Sequence, residues 1–381
     1  MIPAIVLQAS GPNSLGIIRS LGRAGIPVIA CDHRPDALGL VSRYAERALL
    51  PDPATEPEWF VDALLRFGRR LPRGGVLFAT HDEAVAAIGP REAEVDEFFT
   101  RPWSPWSVMQ RALNKSAQHA AARDIGFPVP RTVDSPVDED ISRIAADLRF
   151  PLVLKPRDAV GFRREFRRQV LEATDAADLQ RQWERCRAYG PTISEVIPGG
   201  DDALWTLGSY RDSHGTPLAT FTGHKLRQWP PHFGTARSAE AVWDPDLAER
   251  CHALLDALQF HGISQVEVKR DARDGRDYLI EVNPRSWLWI GLATACGVNI
   301  PAICHKDASR VAVEPVVGHG SGRRWTLLFK HLLASAREVQ SGDWTRGELL
   351  RSLRPPLTDG VIDVRDPRPV LAQLRGYLKH G

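Results

Sequence analysis

The chain is 381 residues long, 43% hydrophobic and 25% charged, proportions of a globular protein with room for two or three domains. Its net charge of +2 gives no global argument for nucleic acid, and no apolar run approaches the ~18 residues that a membrane span needs. Five cysteines (Cys31, Cys186, Cys251, Cys296, Cys304) have no paired spacing, and MIPAIVLQASGPN lacks the basic start of a signal peptide, so the expectation is a cytoplasmic protein with free thiols that engages neither nucleic acid nor membrane.

The first segment alternates strand and helix. Ala4 to Gln8 reads as a buried strand, Ser10 to Asn13 as a turn, and Ser14 to Ala24 as an amphipathic helix closed by Gly25. Pro27 to Cys31 is a second strand ending at Asp32, followed by a helix around Glu58 to Arg70 and a strand at Val76 to Thr80. That order predicts a parallel sheet with helices on both faces. The loop SGPNSLG lies where open α/β sheets bind ligands. A dinucleotide fingerprint needs a middle glycine for close backbone approach. Only Gly11 and Gly16 are present, so an oxidoreductase with Asp32 on a ribose is the weaker reading.

RPWSPW, Arg101 to Trp106, marks a junction. A helix is predicted from Val108 through NKSAQHAAARDIG to Gly126, and FPVPRTV opens a new unit. PLVLKP reads as a strand ending in Lys155, Ala159 to Arg168 as a charged loop, and DAADLQRQWERCRAY as a helix. The strand TISEVI runs into the turn PGGDD, and strands follow at Ala203 to Tyr210 and Leu218 to Thr222. Asp244 to Phe260 places Leu247, Cys251, Leu254, Leu255 and Leu258 at helical spacing. After Arg310 the chain reads as α-rich, with two apolar helices and a loop at Pro355 to Asp363.

Between these helical stretches lies QVEVKRDARDGRDYLIEVNPR, Gln265 to Arg285, whose two alternating runs flank a polar turn and predict a hairpin. Folded about Asp274, it sets Glu267 opposite Glu281 and puts Gln265, Glu267, Lys269, Glu281 and Asn283 on one face. Val266, Val268, Ile280 and Val282 then line the core face. Facing carboxylates repel, and a hard cation such as Mg²⁺ with oxygen ligands removes that cost. The rival reading is a solvated face with Lys269 and Arg285 as partners. A helix across Trp287 to Cys296 follows. Lys155, at a strand end, suits a phosphate, whereas Lys115 alone reads as solvated. Glu195 to Ile197 offers backbone groups to a purine, with Asp201 or Asp202 available to ribose hydroxyls, although PGGDD also reads as a plain turn.

Taken in order, NKS, LVLKP, SEVIPGGDD, GHKLRQWP, VEVKRD and LIEVNPR resemble the ATP-grasp superfamily of ligases, and within it the single-chain carboxylate–amine ligases related to D-aspartate ligase. The resemblance runs from about Ile2 to about Arg310. It implies an α/β ATP-grasp fold with an N-terminal Rossmann-like pre-ATP-grasp domain (1–107) and an ATP-grasp domain (108–310). The latter divides into a small α+β lid subdomain (about 128–194) and a C-terminal α+β ATP- and Mg-binding lobe (about 195–310). An α-rich extension (311–381) follows, either covering the site or making a homodimer contact. ATP and Mg²⁺ are the implied cofactors, with Mn²⁺ able to substitute.

Residue by residue, the resemblance puts Lys115 and Lys155 on ATP phosphates, Glu195, Val196 and Ile197 around the adenine, and Asp202 on the ribose. Glu267, Glu281 and Asn283 would bind Mg²⁺, and Arg285 would neutralise the transferring phosphoryl group. Lys225 and Arg227 would face the phosphate or acyl substrate, and Gly234 and Thr235 the substrate carboxylate. His81 and Asp82, with Glu83, are candidates for gripping an amine or amino acid, and a helix N-cap role for Asp82 stays open. One departure stands out: the stretch that should be a glycine-rich lid loop has only Gly161 and carries Arg163, Arg164, Arg167 and Arg168. These guanidinium groups would bind phosphate, bind an anionic substrate, or simply solvate a loop. The implied reaction joins a small carboxylic acid to an amine or amino acid through an acyl phosphate, releasing ADP and phosphate. A non-catalytic ATP-binding sensor is the alternative, ahead of the oxidoreductase.

Overall fold

The computed structural model describes residues 1–156, 162, 165–231 and 233–380. The first sheet is parallel: β1 (Ala4–Leu7), β2 (Val28–Asp32), β3 (Glu46–Leu49), β4 (Gly75–Phe78) and β5 (Phe99–Thr100), in the order β3-β2-β1-β4-β5. All four residues of β1 and of β4 are buried, as expected for strands covered on both faces. Ile5, Leu7 and Leu77 enter one core, while Ala4, Val6, Val76 and Phe78 enter another. The helices Pro12–Arg23 and Pro57–Gly68 match expectation closely. β3 does not appear in the sequence reading because ERAL is mostly exposed and has no apolar alternation.

A second, antiparallel sheet comprises β6 (Thr132–Val133), β7 (Leu152–Lys155), β8 (Leu171–Ala173) and β9 (Thr192–Glu195), ordered β6-β9-β7-β8. The helices Ile141–Asp147 and Ala176–Cys186 close a small core on it, with Ile144, Leu154, Leu179, Trp183 and Ile193 buried. Gly161, Arg163 and Arg164 of the expected arginine-rich loop lie outside the described residues.

The large sheet holds β10 (Leu204–Arg211), β11 (Pro217–Trp229), β12 (Thr235–Ala241), β13 (Gly262–Arg270), β14 (Asp277–Asn283), β15 (Val316–Val317), β16 (Arg324–Thr326) and β17 (Leu357–Asp359). Its order is β14-β13-β10-β11-β12-β16-β17, with β15 beside β11. Three expectations are corrected here. β11 is far longer than Leu218 to Thr222, because its second half, HKLRQW, carries polar residues where a core strand would be apolar. The long helix from Val108 is two helices, Trp106–Leu113 and Lys115–Asp124. Asn114 breaks it: its backbone is extended, and its side chain caps the second helix by accepting from the Ala117 N–H at 3.0 Å. The tail after Arg310 is not simply helical, since β16 and β17 extend the large sheet, and it carries three helices, Leu328–Ser341, Arg346–Ser352 and Arg368–His380.

Two buried ion pairs secure this tail. Arg237, fully buried on β12, donates to both carboxylate oxygens of Glu338 at 2.6 and 2.5 Å and to Ser335 Oγ at 2.8 Å. Asp366, also fully buried, accepts from Arg19 Nε at 3.0 Å, Ser42 Oγ at 2.8 Å and the Arg43 N–H at 2.9 Å. None of the described helices is long and apolar enough to cross a membrane.

Candidate active site

A cleft of about 700 Å³ opens between the second sheet and the large sheet. Lys155 and Glu195 reach it from β7 and β9, with Val196 and Ile197 just beyond, while Lys225, Glu267 and Glu281 reach it from the large sheet. Lys115 and His119 come from the helix Lys115–Asp124, and Gly234 precedes β12. The Glu195 carboxylate is held by the Arg149 N–H at 2.9 Å. A Cβ at Gly234 would stand 2.1 Å from the Pro230 carbonyl oxygen, so glycine alone fits that close approach.

The hairpin pairs as expected where it matters: Glu267 faces Glu281 and Gln265 faces Asn283. Immediately beyond, a bulge shifts the register, so that Val268 faces Leu279 and Lys269 faces Tyr278. Ile280 is the extra residue. Leu279 takes the core position expected of Ile280, and Ile280 turns to line the cleft, a common use of a bulge near a site.

The two glutamates differ in their partners. Glu267 Oε1 accepts from Lys225 Nζ at 2.9 Å and from Gln265 Nε2 at 2.9 Å. Among the described residues the Glu281 carboxylate has no hydrogen bond or ion pair. Arg285 is not a partner of either carboxylate. Its Nη2 donates to Asn283 Oδ1 at 2.9 Å and its Nε to Asp82 Oδ1 at 2.8 Å, tying the hairpin to the first sheet. Two facing carboxylates, one of them unpartnered, with an amide oxygen on the same strand, form a hard oxygen donor set that fits Mg²⁺.

Gln118 explains why Lys115 stands over this pair. β14 is an edge strand, so part of its backbone needs partners from elsewhere. The buried Gln118 carboxamide supplies them: Oε1 accepts from the Val282 N–H at 2.9 Å, and Nε2 donates to the Val282 carbonyl at 2.8 Å. Lys115, three residues earlier, shares that helix face. Substituting Gln118→Leu is expected to cost about 1–3 kcal/mol, the penalty for stranding a buried polar pair. By loosening Lys115, it should also raise KM for ATP more than it lowers kcat. Urea titration and steady-state kinetics read the two effects separately.

Burial, together with the nearby Lys155, lowers the Lys115 ammonium from 10.5 to about 8, against the opposing pull of Glu281 and Glu267. In the unfolded chain this lysine keeps its proton to higher pH. The folded, nucleotide-free chain therefore binds fewer protons between about pH 8 and 10, and its stability rises with pH across that window. Phosphate in the cleft would favour the charged form. ATP binding at pH 9 should then take up a proton and weaken as pH rises past 8. Calorimetry in buffers of different ionisation enthalpy checks this, and Lys115→Met should remove the uptake.

Other expected residues lie elsewhere. Strict alternation would put Lys225 and Arg227 on one face, but β11 shifts register between them, so that Lys225 faces Ala239 and Arg227 faces Ser238. Lys225 thus enters the cleft, whereas Arg227 and Asp202 line a separate recess. Thr235 is exposed and accepts from Lys330 Nζ at 2.8 Å. His81, rather than Asp82, occupies the N-cap position of the helix Asp82–Ile88, and burial, then Arg285, lowers the His81 pKa. Arg167 and Arg168 are exposed and do not line the cleft, which Gln169 and Val170 reach instead. Sequence reasoning passed over Gln118, His119 and Gln228. The first two were accessible to it, at the i+3 and i+4 positions from Lys115.

No family model matches the chain. Its sequence is 24% identical over 337 residues to D-aspartate ligase of Enterococcus faecium (strain Aus0004), covering 82% of this chain and 77% of that protein. N5-carboxyaminoimidazole ribonucleotide synthetase, solved as its ADP complex, has a TM-score of 0.64 at 14% identity over 89% of this chain and 87% of its own. The L-amino acid ligase from Bacillus licheniformis has a TM-score of 0.57 at 18% identity over 80% and 74%. At such identities the two structures speak for the fold, which is that of ATP-grasp enzymes. Fold and sequence relatives agree: the chain has the ATP-grasp fold, and its sequence is similar to that of an ATP-grasp ligase.

Proposed function

We propose that this protein is an ATP-dependent carboxylate–amine ligase. The observation that carries the reading is the Glu267–Glu281 pair at the wall of a cleft that also gathers Lys115, Lys155 and Lys225. In this reading Lys115 and Lys155 hold ATP phosphates, and Glu195 to Ile197 border the adenine. Glu267, Glu281 and Asn283 hold Mg²⁺, with Mn²⁺ as a workable substitute. When bound, the metal supplies charge neutralisation between the phosphates.

A substrate carboxylate oxygen attacks the γ-phosphorus of ATP, forming an acyl phosphate as the bond to the ADP oxygen breaks. Positioning and charge neutralisation supply most of such catalysis, and Lys225 is the cation that the large sheet's β11 brings into the cleft, with Arg285 behind it on Asn283 and Asp82. An amine or amino acid then attacks the acyl carbon, phosphate leaves, and an amide remains. Residues 1–107, 108–310 and 311–381 are taken as the pre-ATP-grasp domain, the ATP-grasp domain and the extension. Five free cysteines, four of them buried, support a reducing, cytoplasmic setting.

The test is ADP and phosphate release from Mg²⁺-ATP, with and without pooled amino acids and small carboxylic acids. Substrate-dependent ADP supports the ligase. AMP release would replace this mechanism with adenylate chemistry. ATP binding without turnover in any pool would favour a nucleotide sensor.

A further inference from the structure

A second recess, of about 350 Å³, lies apart from the ATP cleft, between β11, β12 and β16 and the helix Arg346–Ser352. The register shift in β11 creates it by turning Arg227 away from Lys225. Its walls carry Arg227, Arg351, Asp202, Glu348, His331 and Trp344. Arg324 also reaches it, but that guanidinium is committed to Glu240 at 3.3 Å and to the Arg351 carbonyl at 3.0 Å.

The remaining charges are two of each sign; Glu348 caps its helix through Thr345 and feels Arg351 and Arg227 at longer range. Arg227 lies over the Trp344 ring at 4.9 Å. Among the described residues, no ion pair or side-chain hydrogen bond is formed by Arg227, Arg351 or the Asp202 carboxylate. Glu348 uses Oε2, which accepts from the Thr345 N–H at 2.8 Å and Oγ1 at 2.7 Å.

His331, on the helix Leu328–Ser341, closes one wall of the recess and is fixed by Ser352. The Ser352 hydroxyl donates its one proton to the Leu349 carbonyl at 2.6 Å, so towards His331 Nε2, at 2.8 Å, it can only accept. Nε2 therefore carries the imidazole proton and Nδ1 is a bare acceptor. The ring is 1% exposed, and Nδ1 has no hydrogen-bond partner among the described residues. Burial, then Arg237 and Arg227, lowers this histidine to about 4, which keeps it neutral near pH 7. The recess thus offers cations for a carboxylate and carboxylates for a cation. A bare oxyanion would satisfy the arginines and meet two negative charges.

We propose that this recess binds a free α-amino acid or an equally small zwitterion, with its carboxylate between Arg227 and Arg351 and its ammonium towards Asp202 and Glu348. The site stands apart from the ATP cleft, and the proposal does not rest on the ligase reading. The test is calorimetry on the full chain without nucleotide, using glycine, L- and D-alanine, L- and D-aspartate, acetate and phosphate as probes. At least one amino acid should bind one to one, with acetate and phosphate at least tenfold weaker. Arg227→Gln and Arg351→Gln should each weaken it about tenfold or more, the scale of a lost charge-assisted hydrogen bond. Glu281→Gln, in the ATP cleft, should leave it within about twofold. Arg351 is exposed, so an unchanged melting curve for its variant separates lost binding from lost folding. Binding that survives both arginine substitutions, phosphate binding as tightly as any amino acid, or no amino acid binding at all would each overturn the proposal.

Discussion

Glu281→Gln is expected to abolish substrate-dependent ADP release while leaving the folded chain about as stable as before. The loss of rate should be about a thousandfold, equivalent to about 4 kcal/mol, within reach of removing a metal-ligating charge from a phosphoryl-transfer site. The stability result follows from the ladder. Glu281 faces Glu267 across it and has no hydrogen bond or ion pair among the described residues, so in the nucleotide-free chain its repulsion by Glu267 is set only against the longer-range attraction of Lys115. Glutamine keeps the shape and removes both the repulsion and that attraction, so the expected change in stability is within about 1 kcal/mol. Glu267→Gln should differ: it would weaken the hold on Lys225 Nζ, on a residue only 8% exposed, and so lower stability along with activity. A coupled ADP assay and thermal melts on both variants read this asymmetry. Retained turnover in Glu281→Gln would end the metal-site reading.

Glu338→Ala should have the largest effect on folding. Arg237 has no exposed surface, and Glu338 is the carboxylate that neutralises it, while Ser335 Oγ and the carbonyls of His331 and Gln228 fill its other donors. Stripping one partner from a buried pair costs about 3–5 kcal/mol, because the remaining charge stays desolvated. The helix Leu328–Ser341 should then detach from the large sheet, as an early transition in urea and as rapid proteolysis of the tail. The double change Arg237→Met with Glu338→Leu removes both charges and should recover much of the loss. If Glu338→Ala melts with the parent chain, the tail is held by its strands and not by this pair.

Much of the site was legible because it sits on regular structure. Alternation in VEVKR and YLIEVN set the faces of the hairpin, and the turn DARDGRD placed Glu267 opposite Glu281. What escaped was irregularity. A strict period of two cannot announce a bulge, so Ile280 was assigned to the core and Arg227 to the same face as Lys225. Asn114 escaped for a related reason: an unbroken helical pattern ran across it, yet its side chain does better as a cap. The strands of the tail, RWT and LTD, are three residues each, too short to carry periodicity, and they form only because β12 offers an edge. Gln118 went unremarked because its partners are backbone atoms 164 positions away.

The pairing of Arg19 with Asp366 has a consequence for how the chain is made. These residues are 347 positions apart. At synthesis rates of about 5–20 residues per second, roughly 17 to 70 s separate the two side chains on the ribosome. The first parallel sheet can assemble in that interval, since its five strands are complete by Thr100. Its helix Pro12–Arg23 must nevertheless wait with a guanidinium that ends almost fully buried and has no acid yet to meet. The nascent N-terminal unit is therefore expected to remain open around Arg19 until the segment carrying Asp366 emerges.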